Sequence, residues 1–299
     1  MTMPAPPLLG LALGSGMARG WAHIGVLRVL EKAGIRPDII AGTSMGAVVG
    51  GSYLAGHLDE IEEWARQLTA FSAIRFLDLT LSGGGLVAGS RLTGLLRAML
   101  RGIPFEGLPA TFACVATDLV TGHEVWLRKG RLVRAMRASF SLPGIFQPVK
   151  VDGKWLVDGA LVNPVPVSVC HALGAQVVIA VNVNSDLLGK KLDMMHDAGT
   201  EQLVKALEES AHSDKKSPRS ILQHVFGASP KAPTTVGVMS ASLDILLDRI
   251  TRSRLAGEPP DVIISPRLGH IGLMDFHNAG EIIEEGQAAA ERALADINQ

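Results

Sequence analysis

Short apolar runs alternate with stretches of helical periodicity along this chain of 299 residues. The first apolar run, Leu8 to Leu13, precedes a glycine-rich loop and a stretch of helical spacing from Trp21 to Leu30. The second run, Ile39 to Ala41, precedes a helix-compatible segment from Ala47 to Leu54. Because buried strands are repeatedly followed by a loop and a helix, the pattern predicts an α/β fold with parallel strands.

The rest of the chain continues this pattern and adds one hairpin. Thr121-Gly122 is a turn signal between two strand-like runs, which predicts antiparallel pairing there. The further predicted strands are Thr111 to Thr117, Glu124 to Leu127, Ala175 to Val183 and Val262 to Ile264. The further predicted helices are Leu92 to Leu100, Arg131 to Ser139, Val167 to Leu173, Val236 to Leu255 and Ala279 to Ile297, with a helical packing face inside His57 to Thr80.

The composition changes at about Asp186. From there to Pro233 the chain is rich in Lys, Asp, Ser and His, and Pro218 and Pro230 interrupt it. Such a segment is typical of an excursion from a folded core. We therefore predict a single domain over 1–299 with a flexible or lid-like excursion at about 186–233.

The composition limits the function classes. A hydrophobic fraction of 47% and a charged fraction of 19% provide for a sizeable core, and a net charge of −1 argues against nucleic acid as a partner. The two cysteines, Cys114 and Cys170, lie in apolar runs, which predicts reduced core residues and no metal site. Because no uncharged apolar run reaches about 18 residues, we predict a soluble, cytoplasmic protein.

The pentapeptide Gly42-Thr-Ser-Met-Gly46 joins the second predicted strand to the following helix. This G-x-S-x-G turn needs small residues on both sides of the serine, because the strand and helix backbones pass close together there. The turn pushes the Ser44 hydroxyl out of the sheet edge at a helix N-terminus, where backbone N–H groups favour developing negative charge. Ser44 is therefore a candidate nucleophile, and an ordinary glycine-rich connection is the alternative.

The loop after the first strand has two interpretations. One is a dinucleotide-binding loop, and the other is an oxyanion hole whose backbone N–H groups face a tetrahedral intermediate. A dinucleotide fold expects an acidic residue at the end of the second strand, whereas Asp38 precedes that strand. This spacing favours the oxyanion interpretation. The loop residues are Gly14, Ser15, Gly16, Met17, Ala18, Arg19 and Gly20.

Asp158 ends a short apolar run and is followed by Gly159. An Asp-Gly pair is a common hairpin turn, which is the simpler interpretation. The functional interpretation is a carboxylate that is held at a turn and faces Ser44. The residues by themselves leave both open.

Taken together, these blocks resemble the patatin-like phospholipase family, in particular small stand-alone bacterial members related to neuropathy target esterase. The similarity covers roughly Leu9 to Val183. The blocks are Leu13 to Gly20 with Ala22 to Leu27, then Gly42 to Gly46, then Ala138 to Gly144, and then Asp158 to Ala160. The resemblance implies a three-layer α/β/α fold with a central, mostly parallel sheet and a nucleophile elbow after an early strand.

The resemblance also implies a Ser–Asp dyad without a catalytic histidine, in which Ser44 is the nucleophile and Asp158 the base. The loop from Gly14 to Gly20 would form the oxyanion hole, and Gly42, Gly46 and Gly159 would support the motifs. The family usually has glycines at the positions of Ser15 and Met17.

The implied substrate is a fatty-acyl ester, such as a phospholipid or a lysophospholipid, and no cofactor or metal is needed. We expect transient contact with a membrane surface, for example through the segment after Asp186.

Two rivals to the dyad remain. One is a Ser–His–Asp hydrolase, with His270 or His277 as the histidine; His23 is interpreted as a helix-packing or capping residue. The other is a non-catalytic lipid-binding or regulatory protein on the same fold. The sequence leaves the head group, the acyl chain and the oligomeric state open.

Overall fold

The computed structural model describes residues 6–69, 85–87, 90–186 and 235–297. The predicted excursion lies outside the described residues from position 187 onward, as does the part of the predicted segment His57 to Thr80 beyond residue 69. The remaining predicted strands and helices all fall at least partly within the described ranges.

Ten strands occur in the described ranges. They are β1 (Leu9–Leu13), β2 (Ile39–Thr43), β3 (Gly85–Val87), β4 (Thr111–Asp118), β5 (Glu124–Leu127), β6 (Gly144–Phe146), β7 (Val149–Val151), β8 (Lys154–Asp158), β9 (Val177–Val181) and β10 (Val262–Ile264). The predicted hairpin is confirmed, since β4 and β5 pair antiparallel.

The α-helices of the described ranges are numbered in chain order. They are α1 (Ala22–Lys32), α2 (Met45–Leu54), α3 (Leu58–Arg66), α4 (Ser90–Leu100), α5 (Leu132–Ser139), α6 (Val167–Ala172), α7 (Thr235–Gly257) and α8 (Ala279–Ile297). Short 3-10 helices precede α1 at Met17–Trp21 and follow β8 at Gly159–Leu161. Helix α2 begins two residues earlier than the sequence predicts, directly after Ser44.

The central sheet has the strand order β10-β9-β1-β2-β4-β8-β7, and β5 pairs with β4. Pairing is parallel from β10 to β4 and antiparallel where β8, β7 and β5 join. A separate pair of parallel strands is formed by β3 and β6. The predicted mostly parallel sheet is therefore confirmed, with an antiparallel extension at one side.

The register around β4 brings two distant segments together. Val115 pairs with Thr43 of β2 and with Trp126 of β5, so these two strands lie on opposite edges of β4. Ala116 pairs with β5 and also with Asp158 of β8, which places β8 on the same edge as β2. Strand β8 thus continues the edge where β2 stops, and Asp158 arrives beside the residue that follows Thr43.

Helices cover both faces of the sheet. One face packs mainly against α1, α2, α5 and α8, in a large apolar cluster that contains Cys114. The other face packs mainly against α6 through a smaller cluster that contains Cys170. Both cysteines are buried and free, as the apolar runs predict. The result is the three-layer α/β/α arrangement, with parallel strands that are buried on both sides.

None of the helices in the described ranges combines the length and the apolar character that crossing a membrane requires.

Candidate active site

Ser44 lies at the turn between β2 and α2 and is 2% exposed. Its backbone has φ 57° and ψ −121°, a conformation that a residue with a side chain rarely adopts. Two contacts hold this turn: the Ser44 N–H donates to Ser139 Oγ at 2.9 Å, and the Ser44 carbonyl accepts from Ala47 N–H at 2.9 Å. The strained conformation places the hydroxyl at the carboxyl edge of the parallel strands, as the G-x-S-x-G pattern predicts.

The two glycines of the pentapeptide are required by close backbone approach. A Cβ at Gly46 would lie 2.1 Å from the carbonyl oxygen of Leu13 in β1. A Cβ at Gly42 would lie 2.6 Å from the backbone nitrogen of Ala47. No side chain fits at such distances, so the sequence argument for small residues on both sides of the serine is confirmed.

The hydroxyl of Ser44 donates a hydrogen bond to Asp158 Oδ2 at 2.7 Å. The second carboxylate oxygen, Oδ1, accepts the N–H of Ala160 at 2.8 Å. The backbone of Asp158 is held as well, because its N–H donates to the Ser141 carbonyl at 2.9 Å and its carbonyl accepts from Thr117 Oγ1 at 2.8 Å. Asp158 is the N-cap of the short helix Gly159–Leu161, so the simpler interpretation as a hairpin turn is wrong. The start of this helix holds the carboxylate against the serine.

Gly159 allows this short helix to start close to β4. A Cβ at this position would lie 2.3 Å from the carbonyl oxygen of Val115 in β4. The short helix that carries Ala160 therefore passes directly against the strand, which aims the Ala160 N–H at Asp158.

Burial makes the Asp158 carboxyl group unusually basic. Desolvation raises its pKa from 3.8 to about 7, and the hydrogen bonds from Ala160 and Ser44 oppose this rise only in part. No salt bridge to Asp158 is formed within the part of the chain that the structure describes. A carboxylate whose pKa lies near neutral pH accepts a proton from a hydroxyl far more readily than an ordinary aspartate.

The glycine-rich loop lies against the serine turn. A Cβ at Gly20 would lie 2.3 Å from Cβ of Met45, the residue after Ser44, and a Cβ at Gly46 would lie 2.7 Å from the carbonyl oxygen of Gly14. Four N–H groups of the loop already donate within the protein: Gly14 to Val181 O at 3.0 Å, Ser15 to Pro164 O at 2.8 Å, Ala18 to Leu273 O at 3.1 Å and Arg19 to Gly16 O at 3.0 Å.

The backbone N–H groups of Gly16 and Met17, unlike those of these four loop residues, are not used in hydrogen bonds within the described ranges. Met17 has a positive φ of 48°, a conformation that favours glycine, and its side chain is nonetheless buried at 5% exposure. Met17 thus holds a backbone conformation that glycine adopts more easily.

The side chain of Arg19 anchors the loop to a distant helix. Its Nε donates to the Ile271 carbonyl at 2.8 Å, and its Nη1 lies 3.2 Å from Asp244 Oδ1 in α7. Nη1 also lies 3.4 Å from Asn184 Oδ1, and Asn184 Nδ2 donates to the Ser15 carbonyl at 2.8 Å. Burial raises the pKa of Asp244, while Arg19 acts in the opposite direction. Arg19 therefore couples the loop to α7 through a partly buried ion pair.

The histidines do not join the pair of Ser44 and Asp158. His23 is fully buried in the first turn of α1, burial lowers its pKa to about 4, and its Nε2 donates to the Gly14 carbonyl at 2.7 Å. His270 pairs with Glu281 at 2.8 Å on the surface, and His277 lies in a short helix at Phe276–Asn278. Among the described residues, no histidine hydrogen-bonds to Ser44 or Asp158.

Three supporting residues had no assigned role in the sequence analysis. Ser139 accepts the N–H of Ser44 and donates to Val115 O at 2.6 Å, Asn184 holds the loop, and the Asn163 carbonyl accepts Thr43 Oγ1 at 2.8 Å. Only Ser139 carried a signal, because it lies in the block Ala138 to Gly144. Asn184 lies in a segment where no pattern pointed to a function.

Within the described ranges, no group of three or more His, Cys, Asp or Glu side chains is placed to hold a metal ion.

Comparison with known proteins identifies the family. A family model described as patatin-like phospholipase matches residues 11–171, which is more than half of the chain. The chain belongs to the patatin-like phospholipase family. The match includes the loop, the serine turn and Asp158, so the resemblance that the motifs suggested is confirmed.

Curated relatives agree with this assignment. An uncharacterized NTE family protein of Mycobacterium tuberculosis is 34% identical, over 98% of this chain and 95% of its own length. A patatin-like phospholipase domain-containing protein of Caenorhabditis elegans is 38% identical over 59% of this chain, which corresponds to 14% of that larger protein. The mouse patatin-like phospholipase domain-containing protein 6 is 33% identical over the same shares.

Solved structures with a similar fold are more distant. VipD from Legionella pneumophila is 11% identical, with a TM-score of 0.49, and the match covers 98% of this chain and 67% of that one. Human GIVD cytosolic phospholipase A2 is 13% identical, with a TM-score of 0.38, over 95% of this chain and 60% of that one. The family assignment rests on the family model and on the curated relatives.

Proposed function

We propose that this chain is a serine acyl-ester hydrolase of lipids, of the phospholipase A or lysophospholipase type, and that it acts through Ser44 and Asp158. Membership of the family supports lipid hydrolase activity in general. The observation that supports the finer assignment is the 2.7 Å hydrogen bond between Ser44 Oγ and Asp158 Oδ2. It joins a strained, buried serine to a carboxylate whose pKa is raised to about 7.

In the acylation step, Ser44 Oγ attacks the carbonyl carbon of the ester while its proton moves to Asp158 Oδ2. The ester C=O bond becomes a C–O⁻ single bond in the tetrahedral intermediate. When this intermediate collapses, the bond to the leaving alcohol breaks, and Asp158 returns the proton to the alcohol oxygen. The products are an acyl ester of Ser44 and a free alcohol.

Deacylation repeats these roles with water as the nucleophile. Asp158 accepts a proton from the water while the water oxygen attacks the acyl carbon. The proton then passes to Ser44 Oγ as the bond between Oγ and the acyl carbon breaks. The fatty acid is released, and both side chains return to their starting states. The N–H of Ala160 keeps one carboxylate oxygen fixed throughout, which leaves Oδ2 for proton transfer.

The negative charge of the tetrahedral intermediate needs donors that are not already used. The backbone N–H groups of Gly16 and Met17 meet this condition in the described part of the loop. Their loop lies against the serine turn through Gly20 and Met45. We therefore assign the oxyanion hole to Gly16 and Met17, with the other loop residues fixing its backbone; loss of one such donor costs about 10²–10³ in kcat.

The rest of the assignment follows from this chemistry. The proposed substrate is a lipid or another acyl ester, with no cofactor and no metal, and contact with a membrane surface is transient. We propose that residues 1–299 act as a single patatin-like domain at the cytoplasmic side of a membrane.

Covalent labelling with a fluorophosphonate ester tests the proposal. The wild type, Ser44→Ala, Asp158→Asn and the matched control Ser52→Ala would be compared by intact mass and peptide mapping. Ser52 is a buried serine of α2 whose hydroxyl has no hydrogen-bond partner among the described residues. We expect one adduct on Ser44 in the wild type and the control, none in Ser44→Ala, and greatly slowed labelling in Asp158→Asn.

Two outcomes would overturn the assignment. An unlabelled, folded wild type that binds acyl lipid without turnover would identify a lipid-binding protein. Labelling and hydrolysis that survive Asp158→Asn but are lost on replacing His23, His270 or His277 would identify a Ser–His–Asp hydrolase instead.

A further inference from the structure

Apolar side chains are exposed at the tip of the β4–β5 hairpin and on the neighbouring strand β8. Val120 is 81% exposed, the highest fraction among the large apolar side chains of the described residues, and Leu119 is 54% exposed. Trp155 is 47% exposed, and the Leu119 N–H donates to its carbonyl at 2.8 Å. We name Leu119, Val120 and Trp155, with the flanking Lys150 and Lys154, the hairpin patch.

The hairpin patch lies at the same edge of the sheet as the candidate active site. Trp155 precedes Asp158 by three residues in β8, which corresponds to about 10 Å of extended strand. Leu119 directly follows the last residue of β4, three residues after Ala116, which pairs with Asp158. The exposed apolar side chains therefore extend outward from the carboxyl edge of the parallel strands, where Ser44 is presented.

The hairpin tip is held in shape before any partner binds. Asp118 Oδ1 accepts the N–H of Val120 at 3.0 Å and that of Thr121 at 3.4 Å, and the Gly122 N–H donates to the Asp118 carbonyl at 2.8 Å. The Val120 N–H is the main cause of the lowered pKa of Asp118. Because the turn is already ordered, its apolar residues lose little backbone entropy when they enter another phase.

The charges of the hairpin patch are balanced. Lys150 Nζ lies 5.7 Å from the centre of the Trp155 ring, and Lys154 Nζ lies 3.8 Å from Asp118 Oδ2. Asp152 is exposed in the turn between the two lysines. Asp118 is only 5% exposed, so its ion pair neutralises Lys154 within the protein. The exposed charges that remain are Lys150 and Asp152, one of each sign at neighbouring positions, which fits a zwitterionic head group and does not depend on anionic lipid.

We propose that the hairpin patch docks the protein on a zwitterionic phospholipid surface, with Leu119, Val120 and Trp155 entering the interfacial region. Tryptophan is favoured at such interfaces because its ring is apolar and its N–H is polar, and lysine reaches the head groups with its ammonium while its stem stays in contact with apolar surface. The proposal rests on the proposed function for the identity of the substrate. Docking there holds the site's edge against the lipid from which the ester is drawn.

Flotation with phosphatidylcholine vesicles tests the docking surface. Binding is measured in the Ser44→Ala background, so that no lipid is hydrolysed. In that background, the double change Leu119→Ser and Val120→Asp is compared with Ile297→Asp, which removes a side chain of 55% exposure at the end of α8. We expect the double change to weaken vesicle binding at least tenfold and the control to leave it within twofold.

Brominated phosphatidylcholine provides a second readout, since it quenches tryptophan that enters the acyl region. Trp126 is 38% exposed on the adjacent strand β5. We expect Trp155→Phe to remove most of the quenching and Trp126→Phe to leave most of it. Quenching that is lost with Trp126 and kept with Trp155 would contradict the proposal.

Two further measurements test a rival docking surface and distinguish a failure of docking from a failure of the proposed catalysis. Helix α7 also exposes apolar side chains, Ile245 at 49% and Leu246 at 55%, so binding that is lost in Ile245→Asp with Leu246→Asp and kept in the hairpin variants would overturn the assignment. Hydrolysis of a short-chain soluble ester by the Leu119 and Val120 variants, with Ser44 intact, should stay within twofold of the wild type. A wild type that binds vesicles but hydrolyses no ester would refute the proposed function and leave the docking surface standing.

Discussion

Ser44 donates its backbone N–H to the side chain of Ser139, at 2.9 Å, from a turn whose φ is positive. The Ser139 hydroxyl in turn donates a hydrogen bond to the Val115 carbonyl in β4 at 2.6 Å. The strained turn is therefore tied to the sheet through a side chain from α5. Ser139 neither contacts Asp158 in this network nor lies in the pentapeptide, and its contribution is to hold the nucleophile in place.

Replacing Ser139 by alanine should leave the buried Ser44 N–H without an acceptor. An unsatisfied buried donor costs about 1–3 kcal/mol, and the serine turn should relax at the same time. We expect Ser139→Ala to lower the free energy of unfolding by that amount and to lower kcat more than it raises KM. Urea unfolding and steady-state kinetics with a soluble ester measure both effects. Ser141→Ala, in the turn after α5, is the matched control; an equal loss of kcat there would argue against a special role for Ser139.

The rate of ester hydrolysis should depend on the ionisation of Asp158. Burial raises the pKa of this carboxyl group to about 7, and only its ionised form can accept the Ser44 proton. We expect kcat/KM for a soluble ester to rise about tenfold per pH unit below that value and to level off above it. A profile that is already flat above about pH 5, as an ordinary aspartate would give, contradicts the role assigned to Asp158.

The same group should make stability depend on pH. The folded chain holds the Asp158 proton up to about pH 7, whereas the unfolded chain releases it near 3.8, so the folded state carries the extra proton between these values. The free energy of unfolding contributed by this group therefore falls as pH rises through that window. If asparagine mimics the protonated carboxyl group, we expect Asp158→Asn to be more stable than the wild type by at most about 1.6 kcal/mol at pH 5 and by at most about 4 kcal/mol at pH 8.

Thermal unfolding of the two proteins at several pH values measures this difference. His23 has its pKa lowered to about 4 and acts in the opposite direction, but it is present in both proteins and cancels in the comparison. A stability difference that does not grow between pH 5 and pH 8 would show that Asp158 is not buried as described.

The strained backbone at Ser44 predicts which of two substitutions at this position is the more stable. Alanine keeps a Cβ in the positive-φ turn, whereas glycine adopts that conformation without a steric penalty. We expect Ser44→Gly to be more stable than Ser44→Ala by about 1 kcal/mol, although both should be inactive. A matched pair at Ser52, in the regular part of α2, should show the reverse order by about the same amount. The same order at both positions would indicate an unstrained serine turn.

His23 should act as a positioning residue for the glycine-rich loop. Its Nε2–H fixes the Gly14 carbonyl, two residues before the Gly16 N–H that is assigned to the oxyanion hole. We expect His23→Ala to lower kcat about tenfold to hundredfold with little change in KM, which is less than the loss of a donor itself. Glutamine can still donate to this carbonyl, so His23→Gln should recover most of the rate. Equal rates for the alanine and glutamine variants would point to packing alone.

Much of the site could be predicted from local sequence. The pentapeptide from Gly42 to Gly46 follows an apolar strand and precedes a helix, and its glycines are required by backbone contacts within the same turn and with β1. The loop after β1 was predicted on similar grounds. Such elements are set by short-range sterics and by the period of apolar residues, which a sequence displays directly.

The partner of Ser44 was decided by tertiary structure. From the residues alone, a plain Asp-Gly turn was the favoured interpretation of Asp158, because its distance of 114 positions from Ser44 carries no local signal. It meets the serine because β8 pairs with β4 on the same edge as β2, at the level where β2 ends. Strand pairing of this kind depends on the packing of the whole sheet, and so does the burial that raises the pKa of Asp158.

Tertiary packing also decides which backbone N–H groups of the loop are available as oxyanion donors. The sequence offered seven loop residues without distinguishing among them. Contacts with the distant acceptors Val181, Pro164 and Leu273 occupy three of the seven N–H groups, and the Arg19 N–H donates to the Gly16 carbonyl. Gly20 lies inside the short helix Met17–Trp21, whereas the N–H groups of Gly16 and Met17, at its start, have no acceptor among the described residues. The sequence by itself thus determined which segments form the site, whereas the tertiary structure decided which atoms in them face the reaction, because hydrogen bonds between distant segments exist only once the sheet and its helices have packed.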